Sequence, residues 1–339
     1  MSDSNDSSNG GGRLSGPRLW ILLRVNRWLL TAAILVSVFL VLVAGSLLDL
    51  VPLREIVEGN DGVQFLFSAF IGAIVTGTSI VVTINQLVLS QELGAVGDQR
   101  ERMSAAMDFR QDVEDVLEED VTPPEPAGFV YELLDGIERQ AETLVETVEE
   151  GRDEELREKI EEYADGLVDD VQPLMDDLKD AQFGSFDVIW ATLNFDYSRR
   201  IFEARQIRNQ HTETLAEETS QAFEDTIELL KFFGLAREHF KTLYFQWALI
   251  ELSRALLYIS IPALAIMALL IMYVDTGAFV GTTLGVDHLV WVVSAGFAVG
   301  IAPFVVFVSY ILRIASVAKR TLAIGPFLLR ETEREEELG

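Results

Sequence analysis

Apolar and polar positions separate along this chain into four long apolar blocks and one long charged block between the second and the third. The apolar blocks run from Trp28 to Leu50, Val63 to Gly94, about Trp247 to Val274, and about His288 to Leu312. Each reaches the roughly 20 residues that a helix rising about 1.5 Å per residue needs to cross a bilayer. The charged block, Ala95 to Phe245, has a helical period throughout. Leu133, Ile137, Ala141, Leu144 and Val148 recur at steps of three and four, as do Leu156, Ile160, Tyr163, Leu167, Val171, Leu174 and Leu178. Beyond them Trp190, Leu193, Tyr197, Ile201, His211, Leu215, Ala222, Leu230 and Phe233 follow at mostly helical steps, and no strand-like alternation of useful length occurs. Asp98 with Glu101 predicts a helix start just past Gly94 and Gly97. TPPEP from Thr122 to Pro126 must break the chain, and FGSF from Phe183 to Phe186 reads as a turn.

The pattern therefore predicts an all-α, polytopic membrane protein. Four transmembrane helices frame a cytoplasmic bundle or stalk of about four helices between spans 2 and 3, whose last helix runs on toward the third span near Gly234. Residues 1–17, rich in Ser, Asn, Asp and Gly, are expected to be a disordered N-terminus. Residues 18–94 form the first transmembrane hairpin, 95–245 the cytoplasmic helical domain, 246–315 the second hairpin and 316–339 a cytoplasmic tail. The text RLWILLRVNR, Arg18 to Arg27, reads as an interfacial lead-in. A basic run before an apolar block can be a secretory signal, but this block exceeds the usual apolar length and a second span follows closely, so an uncleaved anchor is expected. Arg13, Arg18, Arg24 and Arg27 precede the first span, Arg100 and Arg102 follow the second, and Arg313, Lys319 and Arg320 follow the fourth. The connection DTGAFVGTTLGVD has no Lys or Arg. By the positive-inside rule, both termini and the middle segment lie in the cytoplasm of a protein of the cell membrane.

The second span is not uniformly apolar. Ser68, Gly72, Thr76, Ser79, Thr83, Gln86 and Ser90 follow one another at steps of four or three, which keeps them on one side of a helix. Phe70, Ile74, Val81, Ile84 and Val88 are expected on the opposite side. A hydroxylated stripe can line an aqueous path, where its oxygens replace part of an ion's hydration shell. It can equally be a packing face, because small residues let membrane helices approach. Ala69, Ala73 and Gly77 form a second small series on an adjacent face, which favours packing; an oligomer could use both.

Composition changes this picture in three ways. With 54 acidic residues against 26 basic ones the chain carries a net charge of −28, which argues against nucleic acid as a partner because phosphate binding needs clustered Lys and Arg. A Lys-poor, strongly acidic surface also matches adaptation to molar salt. There is no Cys, and His211, His239 and His288 lie far apart with no ligand spacing, so thiolate chemistry is excluded and neither a metal nor another cofactor is expected. No Ser/His/Asp arrangement, Walker loop or dinucleotide fingerprint occurs, and an enzyme is not expected.

Other residues invite chemistry. Glu251 and Arg254, three apart near the start of the third span, form a candidate intramembrane ion pair whose position favours a structural role. Pro262 and Pro303 are candidate helix kinks. Gly296 and Gly300 make a GxxxG contact point. The mixed-charge run of Asn194, Asp196, Tyr197, Arg199, Arg200, Glu203, Arg205, Arg208 and His211 admits a ligand pocket or an interhelical network, with a solvated helix face the cheaper reading.

The block SIVVTINQLVLSQELGAVGDQRERM, Ser79 to Met103, resembles a recurring block in a family of uncharacterised prokaryotic four-span membrane proteins, where a polar-striped helix likewise leaves the membrane through Asn or Gln, a QL pair and a Ser. Its Gln86, Leu87, Ser90 and Gln91 also resemble, more faintly, the exit helix of another family of uncharacterised membrane proteins. No activity comes with either likeness; it implies that Asn85 to Arg102 is a joint between membrane and stalk. The functional expectation is an oligomeric ion channel or pore lined by the second span and moved through the joint at Gly94 to Gly97. An acidic vestibule of Asp49, Glu55, Glu58 and Asp61 would favour cations, an effect that molar salt screens. The alternative is a membrane-anchored helical scaffold or signal transmitter with no pore. A transporter is a third class, for which neither a repeat between the hairpins nor a charged site at mid-membrane is found. The expected partners are the lipid bilayer and further copies of the chain, with room for a cytoplasmic protein partner.

Overall fold

The computed structural model describes residues 27–47, 62–92, 94–148, 154–179, 181, 186–193, 195–274 and 279–320. The expected disordered N-terminus, most of the interfacial lead-in, the acidic vestibule, the first three residues of the FGSF turn, Asn194 and the charged tail lie outside the described residues. In chain order the helices are α1 (Arg27–Leu47), α2 (Gly62–Glu92), α3 (Val96–Leu117), α4 (Pro126–Glu146), α5 (Glu154–Leu178), α6 (Phe186–Leu193), α7 (Tyr197–Gln210), α8 (Glu217–Tyr273) and α9 (His288–Arg320). A short hairpin, β1 (Thr282–Thr283) paired antiparallel with β2 (Val286–Asp287), precedes α9. Among the described residues four helices are long and apolar enough to cross a membrane: α1, α2, α8 and α9. This is the make-up of a multi-pass membrane protein. Contacts divide the chain into two compact units, one of Met1–Leu93 with Gln246–Ser316 and one of Gly94–Phe245 with Val317–Gly339.

In the first unit, α2, the apolar part of α8 and α9 share one core. Val63, Phe67 and Ile74 of α2 meet Ala263 and Met267 of α8, Val274 just past its end, and Leu289 and Val293 of α9, and Phe67 is fully buried. Val81 continues the contact with Leu252, Ala255 and Leu256 of α8 and Val306 and Tyr310 of α9. Between lipid-embedded helices apolar transfer supplies little drive, so close packing and interhelical hydrogen bonds must hold them. Both are present. Thr78 and Ser260 share a hydrogen bond of 2.8 Å between α2 and α8. Gly296 and Gly300 receive Phe67 and Phe70: a Cβ on Gly296 would stand 3.1 Å from Phe67 Cζ, and one on Gly300 would stand 2.7 Å from Phe70 Cδ2. First-span helix α1 is mostly exposed. It is held through Thr31 against Ser309 at 3.4 Å, Val43 beside Val286 and Val290, and Arg27, whose guanidinium lies 4.3 Å from the Tyr310 ring centroid.

The hairpin before α9 was not legible in the pattern, because two residues per strand give no alternation. Leu284 and Gly285, both with positive φ (54° and 79°), form its two-residue turn, as a primed turn requires. Asp287 then caps α9 by accepting from Leu289 N–H at 2.9 Å.

In the second unit the periodic positions are the buried ones. Leu133, Ile137, Ala141 and Leu144 of α4 and Leu156, Ile160, Tyr163, Leu167, Val171, Leu174 and Leu178 of α5 form the facing stripes of a helix pair. A fully buried Leu or Ile contributes about 1.5–3 kcal/mol, and this packing supplies most of what holds the two helices. Where about four helices were expected, the described residues form α3 to α7 and the first part of α8. Short breaks at 195–196 and 211–216 divide what periodicity alone joins. Helix α3 begins at Val96 with Ala95 as its cap residue, two residues ahead of the expected start. Asp98 lies inside the first turn, where its charge complements the helix dipole.

The TPPEP break is clamped. Arg110 donates to the carbonyls of Thr122 (2.6 Å) and Pro123 (3.0 Å), while Thr122 N–H and Oγ1 both donate to Glu114 Oε1 at 2.8 Å. Pro126 then opens α4, where its missing N–H costs nothing.

Part of the mixed-charge run is an interhelical network, through Arg200 and Arg208, while Asp196, Arg199 and Arg205 stay on an exposed face. Arg200 of α7 donates to Asp170 Oδ2 (2.8 Å) and to Gly166 O (2.7 Å) on α5, and to its own neighbour Glu203 (3.1 Å). Arg208 reaches Glu224 on α8 at 2.9 Å, Tyr197 is buried, and Asp196 caps α7 by accepting from Arg199 N–H. Sequence spacing shows which residues share a helix but not which carboxylates another helix brings to them.

Candidate functional site

The polar stripe of α2 is built by the same period that makes its buried face. Val63, Phe67, Ile74 and Val81 point into the protomer, so residues about half a turn away must point out. Ser68, Gly72, Thr76, Ser79, Thr83, Gln86 and Ser90 are all exposed. Ile84, expected on the opposite side, is exposed as well at 45 %, because it lies between the two faces with no neighbour helix on it. With Val75, Thr76, Ser79, Ile80 and Thr83 it lines a shallow open groove of about 460 Å³ on the outer surface of the helix.

The stripe hydroxyls divide into two kinds. Thr83 Oγ1 donates to Ser79 O at 2.9 Å and Ser90 Oγ to Leu87 O at 2.7 Å, so these two are satisfied within their own helix. Ser68, Thr76, Ser79 and Gln86 have no side-chain hydrogen bond among the described residues. Leaving a hydroxyl or amide unpaired in an apolar environment costs on the order of 1–3 kcal/mol, so this surface is suited to water or to polar groups of another molecule. One hydroxyl that does bridge two spans, Thr78, lies off the stripe. Neighbouring Asn85, half-buried, keeps its Oδ1 without a donor.

The remaining residues singled out by sequence are not gathered at this groove. Arg254 Nη1 donates to Glu251 Oε1 at 3.0 Å, and the pair is open to the surroundings, with side chains 61 % and 32 % exposed. Trp247 and Tyr258 are exposed on the same side of α8, one turn before Glu251 and one turn after Arg254. Arg254 stands seven residues past Trp247, about 10 Å along the helix, where a charge is tolerated beside interfacial aromatics. Pro262 is exposed within α8 and Pro303 buried within α9, and both helices continue through them. Each removes one backbone hydrogen bond without ending its helix. No group of three or more His, Asp or Glu able to hold a metal ion occurs among the described residues.

Two arrangements of charge were missed by sequence reading. One is Arg27, whose guanidinium also lies 6.0 Å from the Trp247 ring, so the first span's basic start is held between aromatic residues of the third and fourth spans. The other is Arg237 of α8, which is 5 % exposed and sits 5.3 Å above the Tyr197 ring. In the sequence it is one Arg in an amphipathic helix, and only its burial sets it apart.

No curated protein and no solved structure matches the chain. A family model matches residues 1–339, the whole of it, and its description gives no activity. The chain therefore belongs to the family of unknown function designated DUF7972.

Proposed function

We propose that this protein is an oligomeric ion channel or pore of the cell membrane, with both termini cytoplasmic, in which the stripe of α2 lines the path between protomers. The observation that supports this reading is the exposure of all seven stripe residues, four of which have no side-chain hydrogen bond among the described residues. A path within one protomer finds no support, since the inward face of α2 is closed by Phe67, Ile74 and Val81. Several copies arranged around a common axis would bring several stripes together and give their hydroxyls water or ions to coordinate. Glu251 and Arg254 play a structural part in this reading, and Pro262 and Pro303 supply flexibility to the spans beside the path. No enzyme activity or cofactor is invoked; the partners are lipid and further copies of the chain.

A second reading is favoured by the self-satisfied Thr83 and Ser90 and by the apolar Val75, Ile80 and Ile84 that flank the stripe. In it the stripe is dry packing, and the protein is a membrane-anchored scaffold or signal transmitter that recruits a cytoplasmic protein. Current across a planar bilayer containing purified protein, for wild type and for Thr76→Leu, Ser79→Leu and Thr83→Leu, separates the two when paired with cross-linking of the oligomer. Discrete openings whose size changes with substitution while the oligomer persists support the pore. A silent wild type beside a working control channel, with oligomers lost on substitution, transfers the case to the scaffold.

A further inference from the structure

The geometry points to a binding site for a singly charged phosphate oxyanion at Arg237, within the second unit. The side chain is 5 % exposed, its Nε is buried with no acceptor, and the Tyr197 ring is its charge contact. Tyr197 is held there by construction. A Cβ on Gly234, one turn before Arg237, would stand 2.6 Å from Tyr197 Cε2, so this glycine lets the ring lie directly on α8. Phe233 packs the same ring at 5.9 Å.

A cation this largely desolvated, with Nε buried and unpaired, is suited to an anion, because an aromatic face returns less than the desolvation costs. Carboxylates are plentiful in this chain, at 54 against 26 basic residues, and the half-buried arginines of the unit use them or backbone carbonyls. Arg157 holds Glu161, Arg200 holds Asp170, Arg208 holds Glu224, and Arg110 holds the carbonyls of Thr122 and Pro123. The two carboxylates nearest in sequence to the Arg237 and Tyr197 pair are engaged elsewhere. Asp196 Oδ1 accepts from Arg199 N–H at 3.1 Å, and Glu238 Oε2 is paired with Lys241. Glu238 keeps its other oxygen, Oε1, buried without a donor. Lys241 follows Arg237 by one helical turn and is 13 % exposed, so a second cation stands on that side of α8. Since Glu238 neutralises Lys241, the uncompensated charge is one. That matches a phosphodiester or another monovalent oxyanion better than a polyphosphate, and a planar guanidinium can meet two of its oxygens at once. A lipid phosphodiester and a free phosphate share this chemistry.

The test uses the full chain in nanodiscs at fixed ionic strength, with thermal unfolding as the readout. One arm titrates inorganic phosphate against discs of phosphatidylcholine; the other compares phosphatidylcholine with phosphatidylglycerol discs in phosphate-free buffer. A saturable rise in Tm in the first arm identifies a free anion, and a rise in the second alone identifies the lipid headgroup. Arg237→Met abolishes the rise in whichever arm shows it, while the exposed control Arg205→Met keeps it. Should Arg237→Met fail to fold, Arg237→Lys keeps the charge but loses the fork, and the response then needs about tenfold more ligand. No rise in either arm for the wild type, or an unchanged response in Arg237→Met or Arg237→Lys, overturns the proposal.

Discussion

Replacing Gly300 by Leu tests whether the GxxxG of α9 is the seat of the protomer's own packing. A Cβ there would stand 2.7 Å from Phe70 Cδ2, 2.9 Å from Cγ and 3.1 Å from Cε2, whereas ordinary contact begins at 3.4 Å. The ring would have to retreat by 3.4 − 2.7, or 0.7 Å, for the first atom of the side chain alone. It is held edge-on by Phe297, with centroids 5.3 Å apart. Overpacking of this kind costs about 1–3 kcal/mol, and the bulk of Leu places it at the upper end. The better helix propensity of Leu returns at most about 1 kcal/mol, so the net loss is about 2 kcal/mol, or about 30-fold in the unfolding equilibrium. Gly72→Leu is the matched control, since nothing lies within 4 Å of its Cβ position. It should leave the protomer as stable as the wild type or slightly more so. Reversible unfolding by SDS in mixed micelles, followed through tryptophan fluorescence, gives both values. Wild-type stability in Gly300→Leu, or an equal loss in Gly72→Leu, refutes the assignment of inward and outward faces to α2.

Three further outcomes follow from the geometry. Arg200→Met removes charged hydrogen bonds to Asp170 and Glu203 and one to Gly166 O, and should destabilise the second unit by about 2–4 kcal/mol, whereas Arg205→Met on the exposed side should cost under about 0.5 kcal/mol; hydrogen exchange along α5 and α7 reads the difference. Hydrogen bonds from Thr122 N–H and Oγ1 hold the Glu114 carboxyl below its ordinary 4.5, so the stability it contributes is intact above that value and is lost as pH falls through the lower folded one. Burial, with Asp135 and Glu119 nearby, pushes Glu132 the other way. Acid titration of unfolding should therefore show Glu114→Gln less acid-sensitive than the wild type, and Glu132→Gln more stable at neutral pH with the gain disappearing in acid. A double-mutant cycle of Thr78→Val with Ser260→Ala should give a coupling of about 0.6 kcal/mol between α2 and α8, and a coupling of zero would remove this bond from the account.

The period of apolar positions determined the α-helical class, the four long apolar helices and the buried stripes of α4 and α5. The reason is local: a side chain's direction on a helix follows from its place in the sequence. Tertiary structure decided which side of α2 faces its neighbours, and with it that the hydroxylated stripe lies on the outside, because both sides of that helix are apolar enough to be buried. It also decided that Arg200 and Arg208 of the mixed-charge run bind other helices. Arg200 meets Asp170 across 30 positions of sequence, a pairing that depends on how α5 and α7 are packed. Arg237 is the sharpest case: in sequence it cannot be told from the paired arginines around it, and only burial beside Tyr197, without a carboxylate, distinguishes it. Helix identity comes from neighbours in the chain, whereas the cost of a charge comes from neighbours in space, and those belong to the fold.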